Sequence, residues 1–190
     1  MEVARIAEGL WRWTAPHPEW SPGEAWGRRV GCVYAEIADA TVLIDPLVPS
    51  DEEERFWCAL DRDVERLGLP VAVLVTCPWH ERSAAVVEAR YAGARNTPIG
   101  VEAIPVAPEE VAFWLPALAT LVIGDVLVGD GRGLRLHREW QVQPFDAVID
   151  AVGRLAALPV ERVLTSHGEP VLENGRDALA QAHSSAATAT

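Results

Sequence analysis

Two patterns that alternate along the chain predict an α/β fold. The first is a set of short apolar runs, clearest in VAVLV at 71–75, which has no polar residue to face solvent and reads as a buried strand. The second is apolar residues at helical spacing, as in Phe56, Leu60, Val64 and Leu67, in segments between those runs. A third observation locates the chemistry. Four apolar runs end in polar, reactive residues: TVLI in Asp45, VAVLV in Thr76 through Arg82, TLVI in Asp125 and RVLT in His167. The carboxyl ends of parallel strands share one edge of an α/β sheet, where ligands collect, so two carboxylates and two histidines are expected there. Buried Asp and His at strand ends also serve as structural hydrogen-bonders, and spacing alone does not separate the two roles.

Val3 to Trp13 alternates loosely around Gly9 and predicts two short strands with a tight turn. Thr14 to Arg29 holds three prolines and two glycines and reads as a long loop carrying Trp20 and Trp26. Such loops serve as lids or binding loops, although plugging a core edge or a dimer contact is the favoured reading. Gly31–Ile37 and Thr41–Ile44 form a strand pair, which Pro46 stops. Ser50 with Glu53 reads as a capping box for the helix of Phe56, Leu60, Val64 and Leu67, ended by Gly68 and Pro70. After the 71–75 strand, Ser83–Tyr91 reads as a helix closed by Gly93. Strands follow at Val101–Ile104, Val111–Trp114, Thr120–Ile123 and Val126–Val128, with Pro105, Pro108 and Pro116 between some of them. Pro144 opens a helix through Phe145, Val148, Ile149, Val152 and Leu155 that stops at Pro159. Arg162–Thr165 is a further strand, and Asn174 caps a last helix to about Ala182. The coarse order of strands, helix, strand and helix thus occurs twice.

A chain of 190 residues, 49% hydrophobic, suits one domain, placed at 1–183 with a flexible tail at 184–190. No apolar run approaches the ~20 residues that cross a bilayer and no secretory signal is visible, so a soluble, cytoplasmic protein is expected. Cys32, Cys58 and Cys77 form neither an even set nor a CxxC pair, which argues against a disulfide framework or zinc ribbon. A net charge of −12 disfavours nucleic acid and anionic membranes as partners. A small-molecule ligand fits better, and a homodimer stays open. Cys32 and Cys58 read as small core residues, and His137 and His183 as solvated.

The order LIDP, VLVTCPWHERSA, TLVIGDVLVGD and RVLTSHGEPV, over Val3 to about Ala182, resembles the metallo-β-lactamase superfamily. That resemblance implies a four-layer αββα sandwich with a two-metal site at one edge. The family's main motif, THxHxDH, follows a buried strand. A lone histidine comes next, then an aspartate in a GD pair that bridges the metals, and then a histidine in an HG pair. On this pattern Asp125 takes the bridging position and His167 the last one.

Laid on THxHxDH, the chain reads T-C-P-W-H-E-R. Cys77 and Trp79 replace the first two histidines, Glu81 the aspartate and Arg82 the final histidine, while His80 is one residue out of register. No histidine lies between Arg82 and Asp125, so the lone ligand is absent as well. Two readings follow. In the first, the chain is a divergent, hydrolase-like protein with a small-molecule substrate and at most one divalent ion. Asp125, His167 and His80 hold that ion, His80 and Glu81 handle protons, and Asp45, Cys77, Trp79, Arg82 and His17 line the pocket. In the second it is a metal-free binding or interaction protein in which Arg82 supplies the positive charge beside Asp125. The substitutions favour no metal slightly over a single zinc or other divalent ion.

Overall fold

The alternating amino terminus forms β1 (Glu2–Ala7) and β2 (Leu10–Pro16), joined by the two-residue turn Glu8-Gly9. β3 (Arg29–Glu36) and β4 (Thr41–Ile44) continue antiparallel. β4 is buried at every position, and so is β5 (Val71–Leu74), which pairs with it in parallel and completes a five-stranded sheet in the order β1-β2-β3-β4-β5. Two parallel neighbours need a crossover, and α1 (Glu53–Leu67) supplies it. Its buried Phe56, Trp57 and Leu60 pack with Trp13, Tyr34 and Leu43 of the sheet, and Gly68 ends it in the left-handed conformation.

The computed structural model describes residues 1–137 and 145–188, so the expected helix opening at Pro144 lies outside the described residues. Contacts divide the chain into two compact units, one of Met1–Val75 with Trp79–Gly100 and the other of Thr76–Pro78 with Val101 onward. Where one domain is expected over 1–183, contacts thus delimit two units. α2 (Ala84–Tyr91) completes the first, burying Ala84 and Val87.

In the second unit the strand and helix pattern repeats. β6 (Glu102–Ala107), β7 (Glu110–Leu115) and β8 (Thr120–Ile123) are antiparallel neighbours, and β11 (Arg162–Thr165) joins β8 in parallel, giving the order β11-β8-β7-β6. β9 (Leu127–Gly129) and β10 (Leu134–Leu136) form a separate ribbon. α3 (Phe145–Leu155) and α4 (Gly175–Thr188) bury Val148, Val152, Leu155 and Leu179 against Leu121, Ile123 and Val163. Each such side chain contributes ~1.5–3 kcal/mol by leaving water.

Several local expectations are corrected. The capping box at Ser50 does not form: the chain turns once more, Glu52 becomes the N-cap without a side-chain bond, and its carboxylate pairs with Arg55 and the Met1 amino group. The helix expected from Ser83 starts at Ala84, with Ser83 at the N-cap position and its hydroxyl accepting from the Val48 amide at 2.9 Å; Ala92 (φ 50°), not Gly93, takes the left-handed closing position. β6 runs through Pro105, which a sheet edge tolerates because one side of that strand has no ladder to complete. Cys58 is exposed, since α1 turns Phe56, Trp57 and Leu60 inward instead. His137, expected in solvent, is buried at the end of β10, where its amide donates to the Val126 carbonyl at 3.1 Å. α4 continues past Ala182 to Thr188 with Ala186 buried, so 184–188 are helix and not a loose tail. Among the described residues no helix is long and apolar enough to cross a membrane.

Candidate functional site

In the second unit, strand register brings two expected residues together. β8 and β11 run in parallel with Ile123 opposite Thr165, so the residues two positions beyond each stand side by side. These are Asp125 and His167, both 6% exposed, with His167 Nε2 at 3.2 Å from Asp125 Oδ1. The loop after β11 is pinned by the Ser166 amide on the Ile123 carbonyl and by the Gly129 amide on the His167 carbonyl, each at 3.2 Å. Gly168 (φ +76°) passes so close to β9 that a Cβ would lie 1.9 Å from the Gly129 carbonyl oxygen. Only glycine fits at that crossing.

The residues around Asp125 are held by groups distant in sequence. Glu110, at the start of β7, is 3% exposed, and both its carboxylate oxygens accept from the Val126 amide at 3.1 Å. A Cβ on Gly124 would lie 2.7 Å from Thr76 Oγ1 and 3.1 Å from Glu110 Oε1, so this backbone admits no side chain. Thr76 is tied to the same sheet by its carbonyl, which accepts from the Val111 amide at 2.9 Å. Next to it the buried Cys77 places Sγ within 4.8 Å of an Asp125 carboxylate oxygen. Sequence reasoning missed Glu110, because APEEV carries only the polar signature of a turn.

In the first unit, Asp45 and His80 form a second pair. Asp45 follows β4 in the left-handed conformation (φ 50°), its amide donating to the Leu74 carbonyl at 3.0 Å. Its Oδ2 lies 3.0 Å from His80 Nδ1, both side chains being almost wholly buried. An ionised carboxylate only accepts, so with Asp45 ionised the proton of this bond belongs to Nδ1. Such carboxylate–histidine pairs orient imidazoles that bind metals or accept protons.

The remaining candidates have other engagements. Arg82 Nη1 donates to the carbonyls of Gly31 at 3.0 Å and Asp45 at 3.1 Å and to Cys32 Sγ at 3.8 Å. Burial pushes the Cys32 thiol pKa up, against the opposing influence of Arg82. Glu81 is about half exposed and bound to Arg95 at 2.5 Å, which lowers its pKa; the structure places it in a surface ion pair, apart from the buried Asp45–His80 pair. Trp79 is 50% exposed. His17 packs edge-on against Trp26 with ring centroids 5.2 Å apart, and Trp20 Nε1 donates to the Trp26 carbonyl at 2.9 Å. The Trp-rich loop is therefore cross-linked internally, and His17 belongs to that cluster.

Sulfur from Cys77 and oxygen from Asp125 are donors that zinc accepts, and His167 brings an imidazole to the same carboxylate. Cys77 and Asp125 thus offer two donors that one ion accepts.

No protein-family model matches the chain, and no curated protein does. Solved structures do. The metallo-β-lactamase FIM-1 from Pseudomonas aeruginosa, in its mono-zinc form, is 15% identical with a TM-score of 0.63, over 97% of this chain and 95% of that one. A metallo-β-lactamase from Erythrobacter litoralis is 17% identical, TM-score 0.63, over 98% and 92%. One from Hirschia baltica is 16% identical, TM-score 0.62, over 97% of each chain. The chain has the metallo-β-lactamase fold, an α/β architecture of the αββα class.

Proposed function

We propose that the chain is a divergent, hydrolase-like protein that acts on a small-molecule substrate and holds at most one divalent ion. The donors we assign are Cys77, Asp125 and His167. The observation that carries this reading is the buried Asp125–His167 pair beyond the ends of β8 and β11, with Cys77 Sγ within 4.8 Å of an Asp125 carboxylate oxygen. FIM-1 has been crystallised in a mono-zinc form, so one ion is compatible with this fold. Zinc, when bound, supplies Lewis acidity and lowers the pKa of bound water.

The chain's own residues do the rest. With Asp45 ionised and the ring neutral, His80 is in the tautomer whose Nε2 accepts a proton. Glu110 and Gly124 fix the backbone on either side of Asp125. Glu81, paired with Arg95 at the surface, is the weaker candidate for proton transfer. The metal-free reading requires the Arg82 charge beside Asp125, whereas the hydrogen bonds of Arg82 go to Gly31, Cys32 and Asp45.

Metal content tests the proposal. Protein purified without chelator is expected to carry close to one zinc or similar ion per chain, and Asp125→Ala or Cys77→Ala to lose it. Native protein that stays metal-free after dialysis against micromolar zinc would overturn the reading in favour of a non-catalytic binding protein.

A further inference from the structure

The first unit carries a cleft of about 210 Å³, open to solvent on one side, which the proposed ion site does not use. Register explains its position. On one sheet face Trp13 stands opposite Val3 and Cys32, and Trp11 opposite Arg5 and Tyr34, which in turn faces Leu43. α1 lays Phe56 and Leu60 over part of this face, and the space left is lined by Trp11, Trp13, Tyr34, Leu43, Phe56 and Leu60. A concave, largely apolar space lined by aromatic rings is the usual form of a small-molecule site.

The polar atoms on its wall already have partners. Tyr34 Oη bonds Glu36 Oε1 at 3.2 Å, Trp13 Nε1 donates to the Leu47 carbonyl at 3.0 Å, and the Met1 amino group pairs with Glu52. Arg62 and Asp63, also on the lining, are of opposite charge and give no net attraction for an ion. Trp11 and Tyr34 meet edge to face at 5.4 Å, a geometry a further ring extends. An apolar cavity of ~150 Å³ holds benzene, so this cleft is large enough for one ring or a fused pair. We infer that the cleft is a binding site for a small, uncharged aromatic molecule, separate from Asp125 and His167.

The test is an NMR titration of the Trp11 and Trp13 indole N–H signals with toluene and naphthalene, with benzoate as the charged control. Saturable shifts are expected with a toluene Kd of ~10⁻⁴–10⁻³ M, and benzoate should bind at least about tenfold more weakly because its carboxylate would lose water without gaining a partner. Ala59→Trp fills the cleft from α1, and Val3→Trp roofs it from β1. Each should weaken toluene at least about tenfold. Val3 is 56% exposed, so its variant folds even if Ala59→Trp does not. Asp125→Ala should leave toluene binding unchanged, which keeps this result distinct from the metal experiment. The inference is overturned by any of three outcomes: no saturable shift up to the solubility limit of toluene, benzoate binding as well as toluene, or shifts that survive in Val3→Trp. A concentration-dependent dimer that Val3→Trp dissociates while toluene has no effect would also overturn it, by making this face a contact between copies.

Discussion

Glu110 shows how a single buried carboxylate shapes the candidate site without joining it. Its two oxygens both receive the Val126 amide at 3.1 Å, in a place closed to water. Removing them leaves that amide buried without its acceptor, which costs ~1–3 kcal/mol, more when the lost partner is charged. Glu110→Ala should therefore lower stability by ~2–3 kcal/mol in urea unfolding, and Glu110→Gln, which keeps one oxygen, by roughly half as much. Equal losses in the two variants would mean that Glu110 acts through packing and not through the Val126 amide. Asp45, Asp125 and His167 were legible in the sequence because a polar residue ending an apolar strand is conspicuous. Glu110 was not, since its burial depends on an amide sixteen residues away. The position of Arg82 was equally hidden: its partners, the Gly31 and Asp45 carbonyls, are main-chain atoms that no side-chain pattern advertises.

Elements were legible wherever one period ran long enough to dominate. α1 and α3 announced themselves through apolar residues three and four apart, and β4, β5, β8 and β11 through unbroken apolar runs. β10 was missed because three residues, Leu134–Leu136, are too few to show alternation. The end of α4 was missed for another reason: Ser184 and Ser185 interrupt any apolar period with residues of lower helix preference, and the buried Ala186 holds the last turns by packing. Deleting residues 184–190 should then cost ~1 kcal/mol, a fall in Tm of ~2–4 °C for a chain of this size. A deletion that leaves Tm unchanged would show that the last turns of α4 add nothing to the second unit.

For the whole molecule, fold and chemistry are encoded by different residues. Identity of 15–17% to metallo-β-lactamases of TM-score 0.62–0.63 is enough to keep the order of strands and helices, because many residue types satisfy an apolar pattern. Cys77, Trp79, Glu81 and Arg82 stand where the resemblance calls for ligands, and no tolerance of that kind applies to a ligand. Charge is a property of the whole surface, with twenty-eight acidic residues against sixteen basic. Several of these carboxyls are held below their ordinary pKa: Asp61 down to about 2 by hydrogen bonds from Arg90 and Tyr91, Glu52 by the amino terminus and Arg55, and Glu81 by Arg95. A carboxyl depressed by folding stabilises the native state above its ordinary pKa, 3.8 for Asp61, and the contribution is lost as pH falls through the folded value, about 2. The Asp61–Arg90 bridge is about one third exposed, so screening limits its worth to ~1 kcal/mol or less. Asp61→Asn should thus lower the urea midpoint relative to the native chain at about pH 6, and that gap should close on acidification towards about pH 2. Salt at ~0.5 M should narrow the gap at pH 6 as well. A gap of constant size from pH 6 to pH 2 would mean that Asp61 contributes through the shape of its contacts with Tyr91 and not through its charge.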